Sequence, residues 1–210
     1  MSEHDWNENY AAGELPWDTG VPDEQLVAAV EGGLVAPGRA LEVGCGTGTN
    51  ALWLAQHGFD VVAVDLAPLA VEAARRKAPT GTRCEFVALD FLVDDPPRAP
   101  FDFVFDRGCF HVFDDDETRA RFAARVAAAL APGGQWLSLV GSTEGGPRET
   151  GPPRRSARDV LRAIEPELEL VDLHAFYFDA HIETPARAWS VRARRRDLPA
   201  QPSTVADARD

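Results

Sequence analysis

The sequence predicts an α/β protein, with a doubly wound, mostly parallel seven-stranded sheet that ends in a C-terminal antiparallel hairpin. Three observations carry this. Short apolar runs at 40–43, 60–64, 83–89, 101–105 and 136–140 alternate with stretches of helical period, joined by mostly short connections. The first run feeds a glycine-rich turn, GCGTG at 44–48, which then opens a helix. The last two apolar runs, 168–178 and 186–194, follow one another with no helix between them, so they must pair antiparallel.

Composition narrows the function. A chain of 210 residues that is 45% apolar can fill one α/β core. The net charge of -13, from 21 basic against 34 acidic residues, sets up a field that repels a phosphate backbone. A small-molecule partner is expected, and no nucleic acid. Cys45, Cys84 and Cys109 have neither the CxxC spacing of a metal site nor the density of a disulfide scaffold, so no metal and a reducing cytoplasm are expected. The N-terminus is polar and acidic, and no run approaches the ~18 apolar residues of a membrane span. The expectation is a protein that is neither exported nor membrane-bound, as a monomer or homodimer.

Residues 1–20 carry Trp6, Tyr10 and Trp17 among acids and glycines, with too little apolar periodicity for an independent element. They read as an aromatic arm or lid on the domain at 21–196. Pro22 is placed as a first helical residue, with Asp23 and Glu24 in the first turn and a stripe of Leu26, Ala29 and Val30 that Gly32 and Gly33 end. After the strand at 40–43, a helix over 49–57 is closed by Gly58, and the second strand ends at Asp65. Pro68 starts the next helix, whose buried face is made of Ala70, Val71, Ala73 and Ala74. The third strand ends at Asp90, beside Phe91.

Beyond the fourth strand, Asp114, Asp115 and Asp116 offer caps to a helix with Phe122, Val126, Ala129 and Leu130 at helical spacing, stopped by Pro132 and Gly133. The segment 141–154 is long and turn-rich, and it leaves the carboxyl end of the fifth strand. It is either a substrate-covering loop or a connector. Ser156 with Asp159 matches a capping box for a helix through Ile164. In the last strand, Trp189, Val191 and Ala193 are expected inward, with Ser190, Arg192 and Arg194 outward. The tail at 197–210 has little to bury and is expected to be disordered.

Ligand-type residues gather at three strand ends. Gly44, Gly46 and Gly48 let backbone approach a ligand without a Cβ in the way, although a GxGxG also serves turn geometry alone. Asp65, about 20 residues after Gly44, can accept from ribose hydroxyls. Asp90 with Phe91 ends the third strand. In open parallel sheets such ends converge on one crevice.

Glu42 before GCGTG, Asp65 in VVAVDLAP, ALDF at 88–91 and FDFVFDRGCFHVF at 101–113 resemble, in order and spacing, the motifs of class I S-adenosylmethionine-dependent methyltransferases. The resemblance runs over about 15–196. A nicotinamide dehydrogenase fingerprint would want Gly or Ala at Thr49 and does not call for Glu42. The opening WNENYAAGELPWDTGVPDEQL is similar to small-molecule methyltransferases of the thiopurine, thiol/halide and tellurite-resistance type.

The resemblance implies a Rossmann-like methyltransferase fold with S-adenosylmethionine as cofactor. It places Glu42 near the methionine end, with Gly44, Cys45 and Gly46 giving backbone access. Asp65 would hold the ribose, Leu66 would flank the adenine, Asp90 and Phe91 would contact its edge and face, and Trp17 would cover the site. Asp106 is expected to position a donor or the cofactor amine. Arg107, Cys109 and Phe110 are expected to form the substrate wall. His111 is either a general base or a packing residue at the start of the next helix. The implied activity is methyl transfer to a small-molecule acceptor such as a thiol or other soft nucleophile. O- or N-methylation of a natural product, and cofactor binding without turnover, stay open.

Overall fold

In the computed structural model of the chain, which describes residues 5–147, 151–179 and 184–196, Arg39–Val43 forms the central strand β1, buried from Ala40 onward. Asp60–Asp65 (β2) and Cys84–Ala88 (β3) extend the sheet on one side in parallel. Phe101–Arg107 (β4) and Leu130–Gly141 (β5) extend it in parallel on the other. Leu168–Tyr177 (β6) and Arg187–Arg195 (β7) form the antiparallel hairpin, with β7 inserted between β5 and β6. The order is β3-β2-β1-β4-β5-β7-β6, and β7 alone runs against the others.

Helices cover both faces, because β1 to β5 are apolar on both sides. Glu24–Glu31 (α2), Thr49–Gln56 (α3) and Pro68–Lys77 (α4) pack on one face through Leu26, Leu54 and Val71. Asp116–Ala129 (α5) and Ala157–Ile164 (α6) pack on the other through Phe122, Val126 and Ile164. The Ser156–Asp159 capping box opens α6 as expected. No helix among the described residues is long and apolar enough to cross a membrane.

Four local readings differ from the structure. Trp6–Ala12 is a helix (α1) with no buried residue, so it carries no apolar stripe for a periodicity argument to find. It is held instead by its ends: the Asp5 carboxylate accepts from Asn7 N at 2.9 Å, Gly13 closes it in the left-handed conformation, and Asn7 Oδ1 accepts from Leu69 N at 3.0 Å. Pro22 lies outside α2, whose N-cap is Asp23, accepting from Gln25 N at 2.9 Å. Pro132 and Gly133 do follow the end of α5 but sit inside the start of β5. There the register steps from the Phe101–Leu130 pair to the Phe103–Gln135 pair. Ser190 is buried rather than outward, because β7 is an interior strand and Ala186 and Ala188 belong to the core on that face. The tail at 197–210 lies outside the described residues.

Candidate functional site

The chain leaves β1 toward β2 on one side and leaves β4 toward β5 on the other. The carboxyl ends of β1 and β4 therefore flank the switch point where open α/β sheets bind ligands. A cavity of about 1040 Å³ opens there. Of the site residues singled out from the sequence, all but Glu42, Gly48, Asp106 and Phe110 line it. The arm contributes Trp6, Tyr10 and Trp17, and the 141–154 segment reaches it through Gly151, Pro152 and Pro153.

The turn after β1 is a bare-backbone cradle. Gly44 and Gly46 have φ of 70° and 54°. A Cβ on Gly46 would stand 3.0 Å from the Tyr10 hydroxyl, and one on Gly44 would stand 3.1 Å from Cys109 Cβ. Asp65 fixes this turn from the end of β2, where its Oδ2 accepts from Gly46 N at 2.8 Å and its Oδ1 from Ala67 N at 2.9 Å. Each carboxylate oxygen keeps a further lone pair for a ligand donor. Burial raises the Asp65 carboxyl above its ordinary value, and the two backbone donors oppose that shift.

Leu66, next in the chain, is 56% exposed, an open apolar face at the cavity. Phe91 sits edge-to-face with Phe122 at 5.4 Å and closes the far side of this half. Bare backbone, a carboxylate at the end of β2 and an open apolar face suit a nucleoside, so the residues fit the expected cofactor.

The other expected contacts are placed differently. Asp106 is fully buried behind the cavity wall. Its Oδ1 accepts from Cys109 N at 3.1 Å and Phe110 N at 3.0 Å, and its Oδ2 accepts from Trp136 Nε1 at 2.9 Å. Burial pushes it up to about 6. It shapes the Cys109–His111 segment rather than facing a ligand. Phe110 is a core residue packed on Trp136 and Phe122, not part of the cavity wall.

Arg107 lines the cavity but is committed to protein groups. Its Nε donates to Asp23 Oδ2 at 2.7 Å, Nη1 to the Trp17 carbonyl at 3.1 Å and Nη2 to the Asp179 carbonyl, while its guanidinium lies 5.0 Å from the Phe178 ring centroid. His111 Nδ1 accepts from Gly141 N at 2.9 Å, so the neutral ring carries its proton on Nε2 and its basic lone pair is already used. That geometry matches the packing alternative rather than a general base. The Cys109 thiol, raised by burial, is held neutral. Tyr10, read from the sequence only as part of the arm, reaches the Gly46 turn; its burial beside Asp65 is a tertiary fact with no local motif to reveal it.

Glu42 stands behind the turn, fully buried on β1. Its Oε1 accepts from Asn50 Nδ2 at 3.2 Å, and its Oε2 has no partner among the described residues. Burial pushes its carboxyl up to about 8, from an ordinary 4.5. Native protein thus binds this proton more tightly than unfolded chain. The resulting stabilisation is full below about pH 4.5 and is lost as pH rises through about 8. Glu42→Gln, which keeps the shape and stays neutral, is expected to flatten the fall in melting temperature of cofactor-free protein between pH 5.5 and 8. A smaller slope from Asp106 and Asp65, both shifted the same way, remains. Equal slopes in both proteins would contradict this role for Glu42.

Comparison with known proteins agrees with the geometry. A family model described as a methyltransferase domain matches residues 40–134. The chain is 34% identical over 159 residues to the probable thiol methyltransferase 2 of Arabidopsis thaliana, covering 73% of this chain and 69% of that protein. It is 29% identical over 163 residues to the 2-heptyl-1-hydroxyquinolin-4(1H)-one methyltransferase of Mycobacteroides abscessus, covering 77% and 71%. A structure described under the conversion of a disulfide bond into a thioacetal group during echinomycin biosynthesis superposes with a TM-score of 0.75 at 28% identity, over 86% of this chain and 84% of that one. A nucleoside-suited crevice, the hairpin-closed sheet and relatives of this similarity lead to one assignment: the chain belongs to the class I S-adenosylmethionine-dependent methyltransferases.

Proposed function

We propose that this methyltransferase acts on a small acceptor that is already nucleophilic, with a thiol as the leading candidate, and that the aromatic arm covers the loaded site. When bound, S-adenosylmethionine supplies an electrophilic methyl. The acceptor lone pair forms the new bond, the methyl–sulfonium electron pair returns to sulfur, and the acceptor proton passes to solvent. The chain's own residues hold and align the reactants. In this reading Asp65 receives the ribose hydroxyls, the Gly44–Gly46 backbone lets the cofactor approach closely, Leu66 and Phe91 enclose the adenine, and Asp90 meets its edge. Trp17, packed edge-on against Trp6 at 5.8 Å, excludes water from above.

The observation that carries the thiol reading is that the β4 wall offers no ready base. Asp106 is occupied by three donors, the His111 lone pair is held by the Gly141 amide, and Cys109 is a neutral thiol. A thiol, with pKa near 8.5, supplies its own thiolate fraction at neutral pH and needs no base. The relationship to a probable thiol methyltransferase supports the same class. S-adenosylhomocysteine release is to be followed with a thiol panel across pH. The rate should rise with the acceptor's own ionisation, and His111→Gln should stay within about tenfold of wild type. A loss of 10²-fold or more in that variant, the size expected for a missing general base, would overturn the base-free reading.

A further inference from the structure

We infer that the acceptor is an uncharged molecule with an apolar, ring-sized body, and that carboxylated thiols and small inorganic anions are disfavoured. This rests on the methyltransferase reading and concerns the part of the cavity that reading leaves for the acceptor.

The first support is space. Pockets that bury one drug-sized ligand measure about 300–1,000 Å³. This cavity measures about 1040 Å³, while the contacts assigned to the cofactor gather under β1, β2 and β3. The rest of the lining includes Cys109, Val112, Phe113, Pro152 and Phe178, which are apolar or, for Cys109, a neutral thiol. An ion of thiocyanate size would leave most of that apolar lining uncovered.

The second support is charge. Arg107 is the sole arginine or lysine among the described lining residues. Its side chain is 14% exposed and paired with the 4% exposed Asp23, and its remaining bonds go to the Trp17 and Asp179 carbonyls. It fastens the arm to the end of β4 and the β6–β7 connection, so its charge is already compensated. Asp114 and Asp115 line the same cavity, one paired with Arg155 and the other capping α5. An acceptor that carries a carboxylate, or is itself an inorganic anion, would bring a permanent charge into the cavity, lose water there, find no uncompensated cation among the described lining residues, and face carboxylates, whereas a thiol enters neutral and gives up its proton to solvent only to react. A neutral ring would lose little and gain apolar contact.

The test compares phenylmethanethiol with 4-(sulfanylmethyl)benzoate and thiocyanate. It measures kcat/KM from S-adenosylhomocysteine release, and acceptor binding by calorimetry on protein saturated with S-adenosylhomocysteine. The neutral thiol is expected to exceed the carboxylated one by about 100-fold in kcat/KM, and to bind while thiocyanate does not. In Asp23→Asn, which keeps an α2 cap but removes the charge that neutralises Arg107, the preference for the neutral thiol should shrink about tenfold or more. Equal or better use of the carboxylate or thiocyanate by wild type overturns the inference, as does saturated protein that binds none of the three. Failure of S-adenosylhomocysteine itself to bind overturns the underlying methyltransferase reading instead.

Discussion

Asp65→Ala is expected to weaken S-adenosylmethionine binding by about 10²–10⁴-fold, the largest single loss at this site. Hydrogen bonds to a charged partner contribute about 1.5–3 kcal/mol each, and a ribose offers two donors to this carboxylate. The same substitution frees the Gly46 and Ala67 amides, which Asp65 now accepts at 2.8 Å and 2.9 Å, so the turn that approaches the cofactor also loosens. Asp65→Asn, with one acceptor oxygen in place of two, should fall between. Calorimetric titration of the three proteins checks this order. An Asp65→Ala variant that binds as wild type does would remove the end of β2 from the cofactor site.

Arg107→Met should destabilise the protein by about 3 kcal/mol, because it leaves the buried Asp23 carboxylate without its partner. The loss reaches the site through the arm. Without the guanidinium the Trp17 carbonyl is no longer fastened to β4, and the Trp6–Tyr10–Trp17 cluster loses one of the contacts that hold it over the cavity. Tryptophan emission should shift to the red, cleavage by a dilute protease near residues 13–20 should accelerate, and the Kd for S-adenosylmethionine should rise about tenfold or more. Arg107→Lys should rescue little, since a single ammonium cannot span the three acceptors that the planar fork reaches. Unchanged emission and Kd in Arg107→Met would show that the arm is held by other contacts.

Much of the architecture was legible because it rests on local signals. The five parallel strands announced themselves as apolar runs, and the hairpin followed from two runs with no helix between them. The lining of the cavity at the ends of β1, β2 and β3 was equally readable. Gly44, Gly46, Asp65, Leu66 and Phe91 owe their placement to strand ends, and strand ends are visible in sequence.

What stayed hidden depends on partners remote in the chain. Asp106 looked like a site carboxylate until Trp136, 30 residues on, took one of its oxygens. Arg107 is expected from its motif on the substrate wall, yet the partners that occupy it, Trp17, Asp23 and Asp179, lie 90, 84 and 72 residues away. His111 fits either a base or a packing residue from its own segment, and the amide that holds its Nδ1 comes from Gly141 at the end of β5, 30 residues on. α1 is held by caps and aromatic contacts instead of a buried stripe, so no periodicity could announce it.

The proposal stands or falls on whether S-adenosylmethionine binds in the crevice at the ends of β1 and β4. Calorimetric titration of the wild-type chain with S-adenosylmethionine, with nicotinamide adenine dinucleotide in parallel, tests it most directly. Saturable one-to-one binding of S-adenosylmethionine in the micromolar range, and none of the dinucleotide, is expected. Preference for the dinucleotide, or heat from neither ligand, would contradict it.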